Sequence, residues 1–481
     1  MRRNVAPDPF AEARRASAKA AREEVRAERV STRRWRSTRA VLGHGPRRAR
    51  AGVAWPTSTP EPHVASSVAF GALFPFLVAD AGRSRAGVYI GSDVLSGAPF
   101  MFDPFTAYAS GAVTSPSMFL LGNVGARKSS LMKTLAMRAA LLGRRSFIID
   151  PKGEYEQVAL AMGGQVLRLE PHGQHRLCPL ALGPGVHAAN IGAVRGLVEL
   201  VAGDTLTSVQ SGLLAAAVAS VTGYDPTDGA GTVEHSATLA DITAAIHTPT
   251  DAMLSAVDLS PEEWRHAAQE LGFVLRRITD PSTGDLAGMI DGASTITDDP
   301  SCLITVIDVS AVYAAREHSP LAFPLVLTAA IAWVHARILE NRSPSYLMVD
   351  EAWAVLGNLS TARYLQSALK MSRQWGLATL LTMHRLSDLH IGGQGSELYG
   401  IVEGLLRDVG TTIIYRQPPG ERPLLKALLA LPDGQLDDVV LSPRFPAGRG
   451  LWRVGADVAV VQHVVSDWEL PLLDTDQAMR G

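Results

Sequence analysis

Residues 118–130 read MFLLGNVGARKSS: an apolar run, a loop holding Gly122 and Gly125, then Lys128-Ser129 opening a stretch of helical composition. A short strand that breaks on glycine and turns directly into a helix is the repeating unit of parallel α/β architecture, and it leaves few other folds open. The pattern G-x-x-x-x-G-K-[ST] cradles nucleotide phosphates. Gly122, Lys128 and Ser129 occupy three of its fixed positions at the right spacing. The N–H groups of Gly122, Asn123, Val124, Gly125, Ala126 and Arg127, with the helix start at Lys128, Ser129 and Ser130, would wrap phosphate oxygens. Lys128 would reach the β/γ-phosphates of ATP, and the Ser129 hydroxyl would ligate magnesium.

Arg127 stands where that pattern has its second glycine. Glycine serves there because the backbone approaches phosphate closely in a turn that disfavours a side chain. Two readings stay open. Arg127 points outward from a working but weakened loop, or the loop is impaired and turnover is lost.

The alternation continues. SFIIDP follows the first helix, and strands are expected at 303–308, 346–349, 377–382 and 411–415. Residues 190–300 read as a helical insertion, with helices over 208–221 and 261–278. Residues 86–103 suggest a β-hairpin split by Gly-Ser-Asp and Ser-Gly. The expected fold is α/β, a RecA-like P-loop NTPase core with a small β-rich N-terminal module and a helical insertion. Its parts are a basic tail and linker over 1–60, the β-rich module over 61–115, and the ATPase domain over 116–481.

In 345–356, SYLMVDEAWAVL, a buried strand ends on Asp350-Glu351. Open α/β sheets bind ligands at the carboxyl ends of their strands. Asp350 is expected to join Ser129 around magnesium, and Glu351 to polarise the attacking water as general base. The plainer alternative is an acidic pair capping the next helix.

Hydrophobic residues are 47% of the 481, enough for a large core and against a mainly disordered chain, and two cysteines exclude a disulfide framework. The net charge of −2 hides an asymmetry: residues 1–50 hold 15 Lys/Arg against 5 Asp/Glu, a balance of +10, leaving −12 for the remainder. This tail either solubilises the chain or binds phosphates of nucleic acid or anionic lipid. The apolar stretches 64–79 and 321–334 are interrupted and read as core, and no secretory signal is visible, so a cytoplasmic protein is expected. His172, His175 and Cys178 have a spacing that permits metal ligation, but no second cluster completes such a site.

The ordered set GNVGARKSS, FIIDPKGEY, RLCPL, LMVDEAW, SRQWG, LLTMHRLSDL and LLRDVGTTIIYRQ resembles the HerA/FtsK branch of RecA-like motors. Closest are the conjugative-transfer ATPases of type IV secretion, VirB-type and TraC-like, in their actinobacterial form. The resemblance runs over roughly 65–480. It implies that Asp150 and Glu154 lie near the nucleotide, and that His384 senses the γ-phosphate where relatives carry glutamine. Cys178 stands where relatives carry asparagine. Either Arg373 or Arg416 would be the arginine finger given to a neighbouring subunit. It further implies a homo-oligomer, a hexamer, working with type IV secretion or conjugation components at the inner face of the cell membrane, with DNA a possible ligand of residues 1–50. Two other functions fit the same residues: a DNA-pumping coupling protein, favoured by the tail, and a non-hydrolysing structural paralogue, favoured by Arg127.

Overall fold

The computed structural model describes residues 86–94, 96–224, 232–280, 288–295, 299, 301–341, 343–389, 396–443 and 445–473. The basic tail lies outside the described residues, as does 64–79.

Among the described residues, eleven strands form one sheet: β1 (Val88–Asp93), β2 (Pro99–Phe102), β3 (Met118–Leu121), β4 (Arg145–Asp150), β5 (Gln165–Arg168), β6 (Ile304–Asp308), β7 (Ser345–Val349), β8 (Leu377–Met383), β9 (Thr411–Tyr415), β10 (Arg449–Val454) and β11 (Asp457–His463). Their spatial order is β2-β1-β11-β10-β9-β3-β8-β7-β4-β6-β5. The strands from β9 to β5 run parallel, and β10, β11, β1 and β2 continue the sheet antiparallel. The expected hairpin β1–β2 is therefore part of the same sheet, joined through β11.

The inner parallel strands are apolar on both faces because both faces are covered. Along β3, Phe119 and Leu121 enter one core, while Met118 and Leu120 enter the core on the other side. The helix Lys128–Ala140 packs in the second core through Leu131, Met132, Leu135 and Ala136. The helices His187–Ala202, Ser208–Thr222, Leu239–His247, Asp251–Val257 and Pro261–Thr279 fall between β5 and β6 and make the insertion on the first side. Three of them begin on capping boxes: Thr207 with Gln210, Thr238 with Asp241, and Ser260 with Glu263. Each box satisfies two backbone donors that a helix start otherwise leaves open.

Ala322–Asn341 is the described helix long and apolar enough to cross a bilayer, yet 83% of its apolar window is buried inside the molecule. Trp333 on it meets Phe147 of β4 edge to face, with centroids 6.2 Å apart. A helix apolar on every side is what a core position requires.

Candidate functional site

The carboxyl ends of β3, β4, β7, β8 and β9 deliver Gly122, Asp150, Asp350, His384 and Arg416 to one edge of the sheet. The loop after β3 has a close backing: a Cβ on Gly122 would lie 2.7 Å from Tyr415 Cβ, so only glycine fits there. Gly125 turns at φ 75°, and Arg127 turns at φ 71°, ψ 34°. Arg127 thus holds the left-handed conformation that glycine adopts freely, a strained choice for a residue with a Cβ. Its side chain is exposed and lies against Gly448, at the turn before β10. The guanidinium points outward and the turn is kept. At the helix start, the N–H groups of Lys128, Ser129 and Ser130 have no backbone acceptor among the described residues. Such orphan donors beside a lysine suit phosphate oxygens.

Lys128 is buried, and its Nζ donates to the carbonyl oxygens of Gly122 (2.6 Å) and Asn123 (3.3 Å) and to Nδ1 of His384 (2.7 Å). Burial lowers its pKa to about 8, against the opposing pull of Asp350 and Glu351. Since Nδ1 accepts from the ammonium, the imidazole carries its proton on Nε2, which donates to Glu351 Oε1 at 2.9 Å. The same Oε1 is 2.5 Å from Lys152 Nζ, and Oε2 accepts from the Trp353 indole N–H at 2.7 Å. Burial pushes the Glu351 carboxyl up, but the bonds from His384 and Lys152 outweigh it and hold its pKa down to about 2. Glu351 is buried and sits at φ 54°. Surroundings must impose such a conformation on a non-glycine residue.

Asp350 is held rigidly. Oδ1 accepts from the Glu351 N–H (3.0 Å) and from the Thr382 hydroxyl, and Oδ2 accepts from the Tyr155 hydroxyl at 3.2 Å. The Asp350 carboxylate and the Ser129 hydroxyl are the kind of oxygen ligands that magnesium takes. Neither carboxylate caps the short helix Trp353–Leu356, whose N-cap residue is Ala352.

Asp150 is occupied by its own turn: Oδ1 accepts from the N–H groups of Lys152 (3.0 Å) and Gly153 (2.9 Å), and Oδ2 from that of Tyr155 (2.9 Å). Burial raises its pKa to about 6. Its work here is to shape the loop that places Lys152 and Tyr155. Glu154 stands in the field of Lys133 and Lys152, and burial raises its pKa. Arg416 is exposed at the end of β9, where its carbonyl accepts from the Asn123 N–H at 3.3 Å. Arg373 lies in the helix Leu359–Trp375, and its side chain is outside the described residues. The structure brings Lys128, His384, Glu351 and Asp350 together. Cys178 is buried elsewhere, its thiol donating to the Ala237 carbonyl, while the His175 ring meets the backbone of Arg168.

Sequence reasoning gave no role to Lys152, Tyr155, Trp353 or Thr382. The first three lie inside quoted motifs, DPKGEY and DEAW, and the fourth precedes His384 by two. Their signal was adjacency to a strand end.

No protein-family model matches the chain, and no curated protein matches its sequence. Among solved structures, VirB4 of Thermoanaerobacter pseudethanolicus is 19% identical and superposes with a TM-score of 0.62, over 80% of this chain and 98% of that one. The plasmid coupling protein TrwB, in complex with the non-hydrolysable ATP analogue ADPNP, is 14% identical with a TM-score of 0.51, over 82% and 92%. The likeness is one of architecture: the chain has a RecA-like P-loop NTPase fold, built on the plan of VirB4 and TrwB.

Proposed function

We propose that the chain is an ATP-binding and ATP-hydrolysing motor subunit of a conjugation or type IV secretion apparatus, coupling hydrolysis to transfer of DNA or protein. The observation that carries this is the convergence of Lys128, Asp350, Glu351 and His384 at the ends of three adjacent parallel strands, in a fold shared with VirB4. Lys128 and the loop N–H groups would hold the β/γ-phosphates, and Glu351 would orient and deprotonate the attacking water. His384 would report on the γ-phosphate from between the two. Ser129 and Asp350 would hold magnesium, which supplies charge neutralisation on the phosphates. Arg416, exposed at the sheet edge, and Arg373 are the candidates for completing a neighbour's site in a hexameric ring. The chain would work in the cytoplasm, peripheral to the inner face of the membrane.

The test is ATP turnover of the full chain beside Arg127→Gly. Glycine holds a left-handed turn without the strain that a Cβ brings, so the loop can close more readily on the β/γ-phosphates beside Lys128. Turnover is expected to rise at least about tenfold, equivalent to about 1.4 kcal/mol of barrier, with a smaller change in ATP affinity. Flat or lower turnover would mean that the outward-pointing guanidinium is tolerated or useful. Turnover absent in the parent, with ATP still bound, would favour the second reading, a non-hydrolysing structural paralogue, which Arg127 suggests.

The +10 balance of residues 1–50 supports nucleic acid or anionic lipid as a partner. Deleting these residues is expected to weaken binding to DNA or to phosphatidylserine vesicles and to flatten its dependence on salt. An unchanged salt slope would leave the tail a solubilising segment.

A further inference from the structure

Glu351 gives three of its four acceptor positions to the protein: Oε1 takes Lys152 and His384, and Oε2 takes Trp353. Lys128 is fully committed: an ammonium has three protons, and all three go to Gly122, Asn123 and His384. His384 joins the two. The result is an unbroken chain, Lys152–Glu351–His384–Lys128, from the rim of the site to the phosphate loop.

A bound triphosphate needs at least one proton of Lys128. The carbonyls of Gly122 and Asn123 belong to the loop on which phosphate would rest, so the contact open to exchange is the one with His384. Losing it removes the donor from Nδ1 and leaves the ring fixed on one side only. The His384 side chain is 22% exposed and has room to turn. His384 is then a loosened neutral donor, and Lys152 is the one cation paired with Glu351 among the described residues. Its side chain is 31% exposed, against 2% for Glu351, so the lysine reaches inward from the surface.

We propose that Lys152 is a positioning residue that parks Glu351 away from the water, and that competition of a triphosphate for Lys128 releases Glu351 through His384. This rests on the ATPase reading above for its consequence, though the parking itself is a property of the site. Glu351 also holds a left-handed backbone, φ 54°, a conformation that its surroundings must sustain. Trp353 makes the parking visible, since its indole N–H is bonded to the parked carboxylate.

The experiment uses the full chain, Lys152→Met and Lys152→Arg, each with and without Trp353→Phe to isolate the emission of that indole. The probes are ATP with magnesium for turnover and a non-hydrolysable ATP analogue with magnesium for emission. In the parent the analogue is expected to shift Trp353 emission. Lys152→Met should show the shifted emission without analogue, and its kcat should rise at least threefold with KM within twofold. Lys152→Arg should behave as the parent, because it restores the cation. Trp353 emission unmoved by Lys152→Met, or a kcat that falls in Lys152→Met, overturns the proposal. If the Lys152→Met and analogue shifts occur but no variant hydrolyses ATP, the ATPase reading fails while the parking stands. If ATP is hydrolysed but Lys152→Met leaves emission unmoved, the parking fails alone.

Discussion

Glu351→Gln is expected to bind ATP as the parent does and to lose hydrolysis by about a hundredfold or more, the range of a positioned general base. The substitution is nearly isosteric and leaves Lys128, the loop and Asp350 untouched. A carboxamide oxygen can still accept from Lys152 and His384. The other end cannot: where Oε2 accepts from Trp353, an amide NH2 would face an indole N–H, two donors opposed in a buried place. An unmet buried donor costs about 1–3 kcal/mol, so a modest fall in melting temperature should accompany the kinetic loss. Nucleotide affinity and turnover must be measured on the same preparation. Equal turnover in parent and variant would remove Glu351 from the base's role and return the acidic pair to structural duty.

Trp333→Ala should have the largest effect on stability, about 3–5 kcal/mol, as for other buried aromatic truncations. The ring is fully buried, lies edge-on to Phe147 and carries the Arg337 guanidinium 5.8 Å from its centroid. Its indole N–H has no hydrogen-bond partner among the described residues. Trp333→Phe should therefore cost far less, because it removes an unmet donor along with some packing. Denaturant unfolding of both variants measures the difference. The result also bears on the helix Ala322–Asn341, whose composition alone would suit a bilayer. A helix seated in lipid would lose little on this substitution, whereas a helix wedged under β4 loses a core contact.

The inner parallel strands could be read from the sequence because each is a continuous apolar run ending on a polar or glycine residue, as in FIID, LMVDE and TTIIYR. The strands that escaped notice are of another kind. β11, in DVAVVQH, alternates buried with partly exposed residues, β10, in RGLWRV, is interrupted by the partly exposed Arg449 and Arg453, and the short edge strand β5 has only Leu167 buried. Burial on both faces leaves a run, whereas burial on one face leaves a period of two, a weaker mark over so few residues. In the site, Lys128, Ser129, Asp350 and Glu351 were legible through spacing and strand ends. The bond from Lys152 to Glu351 was not, since it joins residues 199 positions apart and depends on a left-handed backbone at Glu351. The conformation of Arg127 was likewise hidden, because a residue type discloses the strain of a turn and not whether the chain accepts it.

The order of the strands bears on how the chain is made. β3, which carries the phosphate loop, bonds only to β8 and β9, and those begin at Leu377 and Thr411. A ribosome working at about 5–20 residues per second needs roughly 13–50 s to travel from the end of β3 to the start of β8. For that interval MFLL has no strand to pair with, while its neighbour in sequence, β4, waits for β6 and β7. The helical insertion, made in between and rich in local contacts, can form during the wait. The central sheet cannot, so the nascent chain spends its synthesis with apolar strand edges that invite chaperones or aggregation, and the nucleotide site comes into being only when the last third of the protein has been translated.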